Sequence, residues 1–211
     1  MKRIIPFFLF IVSLNAVFAQ QVAPVDSVGA SLKRFYLNEN VENLWLANQH
    51  INWETGEPDD PFAKHGIKTH CSSFVASVCK QKGIYILRPP AHKTELLASA
   101  QCDWLFSEAA AKKGWRQITG HIYAKAQQLA NQGFIVTAVY RNPNPHKPSH
   151  IALVMPDERK SLADLADEGP TMIQAGLINK NFISLKDGFR HHIRDWPSAT
   201  QDIAFFYNTN R

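Results

Sequence analysis

The chain has 211 residues, 45% of them hydrophobic and 11% aromatic, with 23 Lys plus Arg against 18 Asp plus Glu and a formal net charge of +5. That length supports one sizeable apolar core and excludes two comfortable ones. Three cysteines are too few for a disulfide-built scaffold, and their spacing matches neither a zinc ribbon nor an iron–sulfur protein.

The first segment reads as a targeting signal. Lys2 and Arg3 precede an apolar run from Ile4 to Val12, and Val17-Phe18-Ala19 forms a small-residue exit before Gln20. Residues 1–19 are therefore expected to be a cleaved signal peptide, which directs the protein to the periplasm or beyond, with an uncleaved N-terminal anchor as the alternative. The run is too short for a membrane span, and no other segment approaches the 18 or so apolar residues a span requires. Removing it takes away two positive charges and leaves a net charge of +3. Without an arginine-rich or basic-aromatic tract, that mild excess argues against a nucleic-acid partner.

Residues 20–27 read as a tail, and residues 28–211 as a single domain. Val28, Leu32, Phe35, Val41, Leu44 and Trp45 recur at helical spacing, which predicts one or two helices broken near residues 38–40. Residues 53–61 hold two prolines and a glycine and form a loop. A helix is predicted over 71–82, with Phe74, Val75, Val78 and Cys79 on its buried face, Gly83 as terminator, and Thr69 or a following polar residue as cap. Helical patterns follow over 96–111 and 120–131, the latter stopped by Gly133.

The period then changes. Residues 134–140 and 150–155 read as strands joined by a polar loop, with further strands at 171–175 and 203–207 and a solvated connection with a short helical turn or two over 157–169. Helices followed by strands with hairpin-length connections predict an α+β domain with a mostly antiparallel sheet.

Cys71 opens a buried helix, where unpaired backbone N–H groups and the positive end of the helix dipole favour a thiolate. Cys79 lies two turns away, about 12 Å along the helix axis, beyond disulfide reach. Cys79 and Cys102 are then a candidate disulfide, a pairing that would leave Cys71 as an odd thiol. His150 begins a strand and is the candidate base. Gln174, on the next strand, is the candidate orienting group, with Asn179 in reserve. The expected geometry brings Cys71 and His150 together across a solvent-reachable groove.

The segments Thr69-His70-Cys71-Ser72-Ser73-Phe74-Val75-Ala76, Ser149-His150-Ile151-Ala152-Leu153-Val154 and Ile173-Gln174-Ala175-Gly176 resemble the NlpC/P60 and CHAP group of papain-like cysteine hydrolases. The resemblance covers about residues 69–176. It implies a papain-like fold in which the nucleophile Cys71 opens a helix packed on a small antiparallel sheet, with His150 as base and Gln174 as its orienting partner. It also implies cleavage of amide bonds in peptidoglycan stem peptides through an acyl-enzyme thioester, without a cofactor. The sequence departs from the family pattern in having His70 before Cys71, Ser149 before His150, and no tyrosine between residues 54 and 70. The Cys71 backbone N–H is then the expected oxyanion donor.

The expected partner is peptidoglycan or a muropeptide, and the expected state a monomer; nothing in the sequence identifies an inhibitor protein. The alternative from another class is a noncatalytic envelope-binding module with a relic cleft. A protease acting on proteins, or a transglutaminase-like enzyme, would use the same residues. His65, His70 and Cys71 lack the third and fourth motif-spaced ligands that zinc normally takes, so no metal is expected. His121, His146, His191 and His192 read as surface or loop residues, the last two near a cleft. Trp45, Trp53 and Trp104 read as core or cleft-wall aromatics, and Asp59 and Asp60 as an acidic turn.

Overall fold

The computed structural model describes residues 22–60, 62, 69–193, 195–196 and 202–211. The expected signal peptide lies outside the described residues. The described part of the expected tail, residues 22–27, is packed on the domain. Val22 is buried, the Asp26 N–H donates to the Asn131 carbonyl, and Asn131 Nδ2 donates to the Ala23 carbonyl. Asp26 then caps helix α1 (Ser27–Asn38) by accepting from Gly29 N at 2.8 Å.

The fold is α+β, built on one antiparallel six-stranded sheet in the order β1-β6-β2-β3-β4-β5. Its strands are β1 (Trp115–Gln117), β2 (Val136–Tyr140), β3 (His150–Val154), β4 (Thr171–Gln174), β5 (Lys180–Ser184) and β6 (Ile203–Asn208). The remaining helices are α2 (Cys71–Gln81), α3 (Leu97–Leu105), α4 (Glu108–Lys112), α5 (Ile122–Asn131), α6 (Leu162–Glu168) and α7 (Leu185–Gly188).

Each central strand is buried on both faces, so its residues alternate between two cores. Ile151 and Leu153 of β3, Val139 of β2 and Ile173 of β4 join a core built with Leu32 and Tyr36 of α1, Phe74, Val75 and Val78 of α2, and Cys102 of α3. Ala152 and Val154 of β3, Ala138 of β2 and Met172 of β4 join the other, with Ala126 and Ala130 of α5 and Leu185 of α7. Helices α2 and α5 therefore cover opposite faces of the sheet.

Several elements differ from expectation. Residues 41–48 form turns rather than a second helix: Asn40, Trp45 and Asn48 take positive φ, which ends helical propagation. The 96–111 helix is two helices, because Ser107 stops the first and caps α4 by accepting from Ala110 N. Strands β1 and β5 were not expected; both are edge strands with exposed polar residues, so neither carries an apolar alternation.

The candidate Cys79–Cys102 disulfide does not form, and all three thiols are free. The two sulfurs have different neighbours. Cys79 lies in the field of Arg88 and beside Tyr36, Cys102 in that of Asp103 and Arg141, and burial pushes the first thiol up to about 12 and the second to about 11. No helix among the described residues is long and apolar enough to cross a membrane.

Candidate active site

Helix α2 starts without a side-chain cap. Its N-cap residue is His70, whose ring Nε2 instead donates to the Gln49 carbonyl at 3.0 Å. The first-turn N–H groups are thus left for other acceptors. The Cys71 sulfur takes that role: the N–H groups of Ile151, Ser72 and Cys71 itself all favour its anionic form. Burial outweighs them, and the thiol is raised above its ordinary value. Cys71 is 3% exposed and belongs to the α2-side core. In the free protein it is a neutral thiol rather than the thiolate expected from helix position alone.

His150 begins β3, opposite Tyr140 of β2. It shares strand parity with Ala152 and Val154, so its side chain stands on the α5 face of the sheet. Its Nε2 lies 3.2 Å from Gln174 Oε1, and Gln174 Nε2 donates to the Ile178 carbonyl at 3.1 Å. The second bond fixes the amide orientation, because only the NH₂ end can donate to a carbonyl. Oε1 therefore faces the imidazole and accepts from it, Nε2 carries the ring proton, and Nδ1 is the basic atom. The ring is also wedged between Phe189, edge-on at 4.7 Å between centroids, and His192, stacked at 5.1 Å and 14°. Burial, followed by the field of His192, pushes His150 down to about 3, against the weaker pull of the Gln174 bond. The imidazole is thus neutral at ordinary pH.

His150 and Gln174 line a cleft of about 380 Å³ together with Thr69, Ser149, Gly176, Leu177, His191 and His192. The sequence-predicted pair of His150 and Gln174 is therefore present. Cys71 meets β3 one residue along, at the Ile151 N–H, but makes no hydrogen bond to His150 and does not line the cleft among the described residues. The expected pairing of sulfur and imidazole across the groove is not formed among the described residues, since no hydrogen bond joins them and only His150 lines the cleft.

The reserve residue Asn179 has another task. Its Nδ2 donates to the Val41, Leu44 and Trp45 carbonyls at 2.9, 2.8 and 3.2 Å, and its Oδ1 accepts from Gly176 N. It ties the β4–β5 turn to the chain after α1 and does not orient His150.

Residues that sequence reading missed hold this geometry together. Ser99 Oγ of α3 accepts from Ser149 N, next to the base, and is 2.9 Å from Ser149 Oγ. Gln101 Nε2, two residues on, donates to the Ser72 and Leu87 carbonyls. Helix α3 thereby grips both the start of α2 and the start of β3. Their sequence signal is slight: Ser99 and Gln101 are polar positions on a mostly apolar helix that also carries Asp103.

Among the described residues no group of three or more His, Cys, Asp or Glu is arranged to hold a metal ion; His65 lies outside the described residues. Trp45 is core, whereas Trp53 lines a separate depression of about 400 Å³ beside His50 and Asp59, which pair at 2.5 Å. No known family model matches the chain, and no curated protein matches it either.

Proposed function

We propose that this chain is an exported cysteine amidohydrolase of papain-like arrangement, resembling the NlpC/P60 and CHAP group, which cleaves amide bonds in peptidoglycan stem peptides. The observation that carries the reading is the bonded relay from the Ile178 carbonyl through Gln174 to His150, which leaves a neutral imidazole with a basic Nδ1 at the wall of a cleft.

In this reading His150 is a general base and not half of a preformed ion pair, since burial disfavours the charged form of both groups. Because Cys71 packs on the α2 face of β3 and His150 on the α5 face, this reading requires substrate binding to shift the start of α2 past the end of β3, so that the sulfur leaves the Ile151 N–H and reaches Nδ1. The thiol proton passes to Nδ1 as sulfur bonds the amide carbon, and the Cys71 and Ser72 N–H groups receive the developing oxyanion. Collapse breaks the carbon–nitrogen bond, and the Nδ1 proton leaves with the amine. Water then attacks the thioester, giving its proton to Nδ1, and the carboxylic acid departs as the thiol is restored.

Digestion of purified peptidoglycan with mass analysis of the fragments tests the reading: the native protein releases fragments altered at one amide bond and Cys71→Ala releases none. The burial of Cys71, at 3% exposure, favours a second reading, a noncatalytic cleft that binds stem peptides. That reading is distinguished by muropeptide binding without any product.

A further inference from the structure

His192 was not among the residues singled out for chemistry, yet its ring stacks on the candidate base. It lies nearly parallel to His150, 5.1 Å between centroids at 14°, and it also meets the Tyr140 ring at 5.3 Å. Phe189 blocks a neighbouring direction and Gln174 fixes Nε2, so His150 has little freedom except through movement of His192. We propose that His192 is a positioning residue with a charge-dependent effect: uncharged, it holds the imidazole flat against the Gln174 relay, and protonated, it prevents that imidazole from accepting a proton.

The proposal rests on the hydrolase reading for its consequence, but the coupling itself is a property of the two rings. A proton accepted by Nδ1 during attack creates a second imidazolium about 5 Å from His192. Two stacked cations repel in a buried setting, where solvent screens them poorly. A neutral His192 imposes no such cost and offers its π face to the cation instead. Burial, followed by the field of His191, lowers His192 from the ordinary imidazole value, which keeps it neutral near pH 7. The other charged groups on the same cleft are Lys147 and Asp187, with His191 at its rim. Lys147 opposes a second positive charge and Asp187 favours it, so neither alone accounts for an effect confined to the stacked pair.

Ring ¹⁵N NMR of the full chain from pH 8 to pH 4 reads this without turnover. The expected result is that His150 keeps its Nε2–H tautomer while its ring signals shift at the same midpoint as His192, and that this step vanishes in His192→Phe, which preserves the stacked ring. His192→Gln, a second uncharged variant, should remove the step as well. His150 signals indifferent to His192 protonation, or a step that persists in both variants, would overturn the coupling. Failure of the hydrolase reading is separately visible as absence of product with an intact NMR response.

Discussion

Gly188 leaves open the space that Gln174 Oε1 occupies: a Cβ at residue 188 would come within 2.7 Å of that oxygen, whose next partner is the His150 ring. Gly188 lies in helical backbone on α7, so alanine is conformationally permitted there, and the nearest obstacle is the end of a flexible side chain. Gly188→Ala should therefore leave the fold nearly unchanged while displacing the orienting oxygen. The expected result is a fall of about 10- to 100-fold in kcat for muropeptide cleavage with little change in melting temperature. Unchanged turnover would show that the Gln174–His150 bond is dispensable.

Thiol reactivity tests the buried state of Cys71. With its sulfur buried and its ionisation disfavoured, Cys71 should alkylate at least about 10-fold more slowly than free cysteine at pH 7.5 in the absence of ligand. A muropeptide that opens the site should accelerate this reaction in Gln174→Leu, where turnover is impaired. Fast alkylation of the free protein would contradict the buried neutral thiol.

How much of this was legible follows from which signals are local. The α2 boundaries, the central strands and the His150–Gln174 pairing were readable because apolar periodicity, Gly83 and adjacent antiparallel strands act over short distances. The edge strands were not, because Arg116, Gln117 and Lys180 face solvent and carry no core pattern. Nor could sequence reveal that Cys71 and His150 stand on opposite faces of β3: that depends on strand parity and on how α2 docks, which one residue of register would reverse. Asn179 was misassigned for the same reason, since its partners near Val41 and Trp45 are over 130 residues away.

The Asn179 side chain satisfies three carbonyls and one N–H, so its loss should be felt in stability rather than in chemistry. Asn179→Ala should cost about 1–3 kcal/mol in urea unfolding, while the ring signals of His150 keep their native tautomer. A variant with native stability would contradict the anchoring role.

Acid sensitivity follows from the buried imidazole. His150 titrates at about 3 in the folded chain and near the ordinary 6.5 when unfolded, so the unfolded state binds more protons between these values. The contribution to stability is complete above about pH 6.5 and is lost as the pH falls toward 3. His70 and His192, both lowered chiefly by burial, act with the same sign. The melting temperature should fall between pH 7 and pH 4.5, and His150→Gln should flatten part of that decline. A variant curve parallel to the native one would place the acid sensitivity elsewhere.

The account stands on sulfur attack assisted by His150. Acid-quenched intact-mass analysis during muropeptide turnover tests this most directly. The prediction is an acyl adduct that maps to the Cys71 peptide, appears in step with released amine, and is lost in Cys71→Ala. Full turnover by Cys71→Ala would contradict it.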